Sequence, residues 1–185
     1  MPRINPIELN EAESKSKTLL EGVEKKLGFA PNIMRTLAHS PAALEAYLGF
    51  GKALASGKLS AQLREQIALA VSGVNACQYC ASAHTAIGKM LKLDDDELAA
   101  NVQGQSADTK TETALRFAQR IVADRGWVSD GDVQRLRDGG YSEAQVVEII
   151  ATVALNLFSN YFNHIAETEI DFPPVEVQTV AASRT

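Results

Sequence analysis

Apolar residues recur at spacings of three and four along nearly the whole chain, set among Ala, Leu, Glu, Gln and Lys. That periodicity and composition predict helices throughout, an all-α fold. "MPRINP" (1–6) reads as a proline-punctuated, extended lead-in. A first amphipathic helix is predicted from about Ile7 to Leu27, stopped by Gly28. A short helix follows Pro31, and Pro41 opens another that ends near Gly57. Ser60 is the N-cap of "LSAQLREQIALAVSGVN", where Leu63, Ile67, Ala70, Val71 and Val74 form one stripe. The chain breaks around Gly73 to Ala76 and restarts at Cys77 as "CQYCASAHTAIGKMLKL". Next come the short acidic "DDDELAANV", "TKTETALRFAQRIVADRG" ending at Gly126, and "SDGDVQRLRDGG" stopped by Gly139 and Gly140. "SEAQVVEIIATVALNLFSNYFNHIAETE" is apolar for much of its circumference and is placed at the centre. The tail, 173–185, reads as loose. "REQIALAVSGVN" and "VEIIATVALNLF" share an acid ahead of an Ile-Ala pair. An old duplication would leave this echo, and so would any two buried Ala-rich helices.

A chain of 185 residues with 45% hydrophobic and 22% charged positions makes a single domain, 1–185, with a core that needs no staples. The net charge of −5, with no basic cluster, argues against nucleic acid as a partner. The N-terminus lacks a signal-like apolar region, and no apolar run approaches the roughly 18 residues that span a membrane. The expected compartment is the cytoplasm, where thiols stay reduced. There a close cysteine pair reads as redox chemistry or metal binding rather than a structural disulfide.

"NACQYCASAH" holds both cysteines, Cys77 and Cys80, and one of three histidines, His84. On a helix starting at Cys77, the two cysteines lie one turn apart and His84 stacks on Cys80. Side chains so spaced sit about 5–6 Å apart at Cβ, whereas a disulfide wants about 3.8 Å. The pliable first turn could close such a bond, and a strained bond is easily reduced, which suits a cycling disulfide. Free N–H groups in that turn favour a thiolate, the reactive form. His84 could accept the Cys80 proton or stabilise the thiolate as imidazolium. Glu65, twelve residues before Cys77, is the candidate to orient His84 and raise its basicity, if a turn near Asn75 folds the two helices together.

The stretch "LREQIALAVSGVNACQYCASAH" resembles the signature of the AhpD-like alkylhydroperoxidases within the carboxymuconolactone decarboxylase superfamily: Glu, eleven residues, then Cys-x-x-Cys-x-x-x-His. Glu65, Cys77, Cys80 and His84 match each position. The flanks "LGFAPNIMRTLAHSPAALEAY" and "NYFNHIAETEIDFP" resemble its peroxidase-related branch, so the likeness covers most of 1–175. The resemblance implies an AhpD-like multi-helical bundle and a Glu65–His84 proton relay. It implies that Cys80 is the peroxidatic thiol and Cys77 the resolving thiol, exposed to the reductant. It further implies a peroxide substrate, a lipoylated or thioredoxin-like dithiol donor, and no metal, flavin or haem. Trimers or hexamers are common in the family, and the apolar last helix also points to a homo-oligomer. The best-known members carry histidine just before the second cysteine, where this chain has Tyr79.

Rival readings are a general disulfide reductase or redox relay, and a metal-binding or structural oligomer module. Cys77, Cys80 and His84, with Glu65 or His164, could hold zinc, although a structural zinc site usually draws on a second ligand pair and the chain has no further cysteines. His164 is read as structural or as part of a subunit contact, and His39 as exposed. Tyr79 either lines the entrance to the site or packs. Trp127 is expected to anchor its loop to the core.

Overall fold

The computed structural model describes residues 1–177, and these form nine α-helices and no strand. They are α1 (Ser14–Leu27), α2 (Asn32–Leu37), α3 (Pro41–Ala55), α4 (Ala61–Val74), α5 (Gln78–Met90), α6 (Asp95–Val102), α7 (Thr109–Ala123), α8 (Asp130–Asp138) and α9 (Glu143–Ala166). Side-chain caps start most of the later ones: Ser40, Ser60, Asp108, Ser129 and Ser142 each accept an N–H from the first turn.

The hub is α4, which packs against α5, α6, α7 and α9. One hydrophobic core fills the space between α4, α7, α8 and α9, built on Ile67, Val71, Leu115, Leu136, Ile149 and Val153. A second lies under the N-terminal helices, where Leu20, Ile33, Leu37 and Leu44 pack on Tyr79, Cys77 and Cys80. The cysteine pair is therefore part of a core, sandwiched between α1–α3 and α9. Ile7 and Leu9 also join this cluster. The first helix begins at Ser14 and not at Ile7: residues 8–12 close one turn on the Glu8 carbonyl, and Ile7, Leu9 and Ala12 pack into this core instead.

Three other expectations are corrected. Trp127 is 88% exposed, because positive φ angles at Arg125 and Gly126 turn it outward and Val128 packs on the core instead. Residues 173–177 are docked, not loose: the Val175 N–H donates to Ser82 Oγ at 2.9 Å, and Val177 packs near Leu69 and Leu98. The rest of the tail lies outside the described residues. Finally, α9 does pass a test of length and apolarity for crossing a membrane, but one side of it is buried in the protein and carries Thr152, Asn156, Ser159, Asn160 and Asn163.

Candidate active site

The turn between α4 and α5 sets the site. Asn75 caps α4, the Cys77 N–H reaches back to the Ser72 carbonyl at 2.9 Å, and the Ala76 N–H reaches Gly73 at 3.1 Å. This is a Schellman closure with Ala76 in the left-handed region at φ 54°, a place usually held by glycine. Gly73 lets α6 come close, since a Cβ there would sit 1.9 Å from the Val102 carbonyl oxygen. The closure makes Cys77 the N-cap of α5 and puts Cys80 at the third helical position. Both cysteines are free thiols.

The antiparallel return brings Glu65 and His84 together. Their side chains are 20% and 17% exposed, and His84 Nδ1–H donates to Glu65 Oε2 at 2.6 Å. Burial alone would lower the His84 pKa, but the carboxylate raises it above the ordinary value, helped by Cys80 and Asn156. Burial likewise opposes ionisation of Cys80, yet its pKa falls to about 7. The Cys77 thiol, the His84 imidazolium, and Asn163 and Ser159 all favour its thiolate. The pairing acts in the opposite direction on Cys77, whose acidity is suppressed by the bond to Cys80 and then by burial. Coupling through that bond makes Cys80 the more acidic thiol of the pair.

The structure brings together all four residues singled out in the sequence, Glu65, Cys77, Cys80 and His84. It corrects the exposure of Cys77, which is only 1% accessible, because α9 lies over it and the Asn160 carbonyl faces its sulfur at 4.0 Å. Cys80, 3% exposed, is the cysteine that lines a cavity of about 60 Å³, with Ile33, Met34, Tyr47, His84, Ser159 and Asn163 among its walls. A larger cleft of about 680 Å³ between α7 and α8 contains none of the four. Tyr79 lines the small cavity too, but its hydroxyl is committed: it donates to Asp171 Oδ1 at 2.8 Å and accepts the Ile33 N–H at 3.1 Å. His39 is exposed as expected, and its Nε2 lies 2.9 Å from the Asn5 carbonyl. His164 is exposed on α9 and takes no part in the site. Among the described residues no group of three His, Cys, Asp or Glu side chains is arranged to hold a metal ion.

Sequence reasoning missed the contribution of α9. Asn163 Nδ2 donates to Cys80 Sγ at 3.2 Å, Asn156 supports His84, Ser159 supports Cys80, and Asn160 accepts from Asn75 at 2.9 Å. The available signal was polar residues at 152, 156, 159, 160 and 163, a helical repeat on one face of an apolar helix. Buried polar groups kept at that spacing need partners on the facing element.

Residues 41–124 match the family model described as "Carboxymuconolactone decarboxylase family". No curated protein matches the chain. Among solved structures, an uncharacterized peroxidase-related protein from Ralstonia eutropha JMP134, described as an alkylhydroperoxidase AhpD core, is 26% identical over 92% of both chains, with a TM-score of 0.85. An uncharacterized peroxidase-related protein from Silicibacter sp. TM1040 shares the fold at 23% identity over 93% of this chain and 92% of its own, TM-score 0.79. So does the debrominase Bmp8, at 24% identity over 91% of each chain and TM-score 0.77. The helical architecture agrees with both comparisons: the chain has the AhpD-like fold, and residues 41–124 are similar to the carboxymuconolactone decarboxylase family.

Proposed function

We propose that this protein is a thiol-dependent peroxidase working through a Cys77–Cys80 dithiol/disulfide cycle. The observation that carries the reading is the contrast within the pair: Cys80 lines the cavity with a pKa of about 7, while Cys77 is held protonated behind it. A likeness to a peroxidase-related AhpD core at 26% identity supports the same reading.

In the cycle, the Cys80 thiolate attacks one peroxide oxygen. An S–O bond forms, the O–O bond breaks, and its electron pair leaves on the departing oxygen. His84 imidazolium, held by Glu65, supplies the proton to that oxygen. Cys80 is oxidised to a sulfenic acid and the peroxide is reduced to an alcohol or water. Cys77 then condenses with the sulfenic acid, releasing water and forming the disulfide. An external dithiol reduces that disulfide by exchange and becomes a disulfide itself. The narrow cavity and the buried Cys77 favour a slender dithiol arm, such as a lipoyl group, over the face of a folded thioredoxin-like donor. The same narrowness disfavours a general reductase of protein disulfides.

The protein is also proposed to self-associate. Val147, Ile150, Phe158, Tyr161 and Ile165 are exposed along α9 at spacings of three, eight, three and four, which makes one apolar stripe.

The test is steady-state peroxide consumption with a panel of dithiol donors, wild type against Cys80→Ser. Turnover that vanishes in Cys80→Ser supports the reading. Equal turnover in both proteins would sink it.

A further inference from the structure

Asn163 carries an amide oxygen that the dithiol cycle leaves unused. The residue is 4% exposed and lines the Cys80 cavity. Its Nδ2 donates to Cys80 Sγ at 3.2 Å, while its Oδ1 is buried and has no hydrogen-bond partner among the described residues. A buried amide oxygen without a partner is costly, by more than a mutation normally gains, so such a group in a native core calls for an explanation. Here the orphan acceptor belongs to the same amide that holds the reacting sulfur.

We propose that Asn163 is the substrate-positioning residue of the site, its Nδ2 holding the Cys80 sulfur and its Oδ1 accepting the O–H of a hydroperoxide. The proposal rests on the peroxidase reading and names the substrate class: hydrogen peroxide or an organic hydroperoxide, each with a free O–H. The oxygen that bears this hydrogen is the one a thiolate attacks, with the other oxygen leaving as alkoxide or hydroxide. One planar amide therefore places nucleophile and electrophile side by side. A cavity of about 60 Å³ has room for the O–O end of such a molecule, since about 10–15 Å³ on the same measure is enough for one water. After oxygen transfer the new S–O–H group presents the same donor to the same acceptor, so Asn163 also retains the sulfenic acid until Cys77 condenses with it. Phe172, Leu27 and Met34 in the cavity wall offer an apolar surface for the organic part of a hydroperoxide.

The two arms of the amide are separable by experiment. Loss of the Nδ2 arm changes the ionisation and nucleophilicity of the thiolate toward every electrophile alike. Loss of the Oδ1 arm slows only reaction with a hydroperoxide. The second-order rates of Cys80 with iodoacetamide and with hydrogen peroxide are measured in a Cys77→Ser background, at a pH where Cys80 is fully ionised in each protein. Asn163→Ala and the space-filling Asn163→Leu are compared with Asn163, with circular dichroism to establish folding. The expected result is a peroxide rate reduced at least about tenfold more than the iodoacetamide rate, in whichever variant folds. A proportional fall in both rates, or no fall in either, overturns the inference while leaving the peroxidase reading intact. Failure of both variants to fold shows a structural requirement for the residue and also counts against the proposal. If the protein carrying Asn163 reacts with hydrogen peroxide no faster than free cysteine does, the peroxidase reading falls, and this inference with it.

Discussion

His84 Nδ1 lies 2.6 Å from Glu65 Oε2, across a turn that joins residues nineteen apart in the chain. The carboxylate keeps the imidazole charged against the pull of burial, and the charged imidazole in turn helps to hold Cys80 as a thiolate at a pKa of about 7. The sign of the pH dependence follows. Iodoacetamide alkylation of Cys80 is expected to rise with pH, with a midpoint below that of an ordinary cysteine thiol. In Glu65→Gln burial dominates, His84 becomes neutral near pH 7, and Cys80 loses its cationic neighbour. The midpoint then moves up by about one pH unit, worth about 1.4 kcal/mol. Peroxide turnover should follow a bell, rising as Cys80 ionises and falling as His84 loses the proton it donates. An unmoved alkylation midpoint in Glu65→Gln removes the relay.

The division of labour between the cysteines is tested by trapping. Cys77→Ser is expected to leave a sulfenic acid on Cys80 that a dimedone-type reagent captures after one equivalent of peroxide. Cys80→Ser should give no adduct, because Cys77 is buried away from the cavity that Cys80 lines, and burial still opposes its ionisation once the Cys80 sulfur is gone. Mass spectrometry reads the adduct, and labelling of Cys77 in Cys80→Ser would reverse the roles.

Much of this site was legible before any coordinates. Glu65, Cys77, Cys80 and His84 could be paired because three of them share one helix and the fourth lies across one short turn, so local geometry governs their approach. The exposure of Cys77 was not legible. An N-cap position suggests a surface, but α9, more than sixty residues downstream, covers it. Asn163 was hidden for a related reason: α9 was read by its apolar residues, and the polar face became meaningful only once it met Cys80. Trp127 failed because a positive-φ turn, not hydrophobicity, decides which way it points. Local pattern located the elements and the candidate residues; nonlocal packing decided what each one faces.

Ala76 offers a stability test independent of the chemistry. Its φ of 54° costs an L-residue about 1–2 kcal/mol, part of which glycine recovers after paying its own larger backbone entropy. Ala76→Gly is expected to raise the urea midpoint by an amount equivalent to about 0.5–1 kcal/mol at an unchanged m-value. A lower midpoint would mean that the Schellman closure is not strained.

Self-association can be read without disturbing the core, because the residues involved are exposed in one chain. Ile165 is 64% exposed on α9, so Ile165→Asp should change the folded stability by no more than about 0.5 kcal/mol. If α9 is the subunit contact, light scattering after size exclusion should show an oligomer for the wild type and a smaller species for Ile165→Asp. A wild type that elutes as one chain, or a variant of unchanged mass, rejects this face as the contact.

Tyr79 departs from the histidine that the family resemblance implies, and its environment argues for a tether. The hydroxyl bridges the start of α2, through the Ile33 N–H, and the C-terminal segment, through Asp171. Asp171 Oδ2 in turn accepts the Asn32 N–H at 2.6 Å, so one phenol and one carboxylate clasp both chain segments over the cysteine core. Tyr79→Phe keeps the ring packed but strands the Ile33 N–H in a buried place. The expected cost is about 1–3 kcal/mol, read as a lower urea midpoint. The hydroxyl bonds to groups away from the Cys80 sulfur, so the alkylation rate of Cys80 should stay within a few-fold of wild type under native conditions. A large change in that rate with stability unchanged would make Tyr79 a participant in the chemistry.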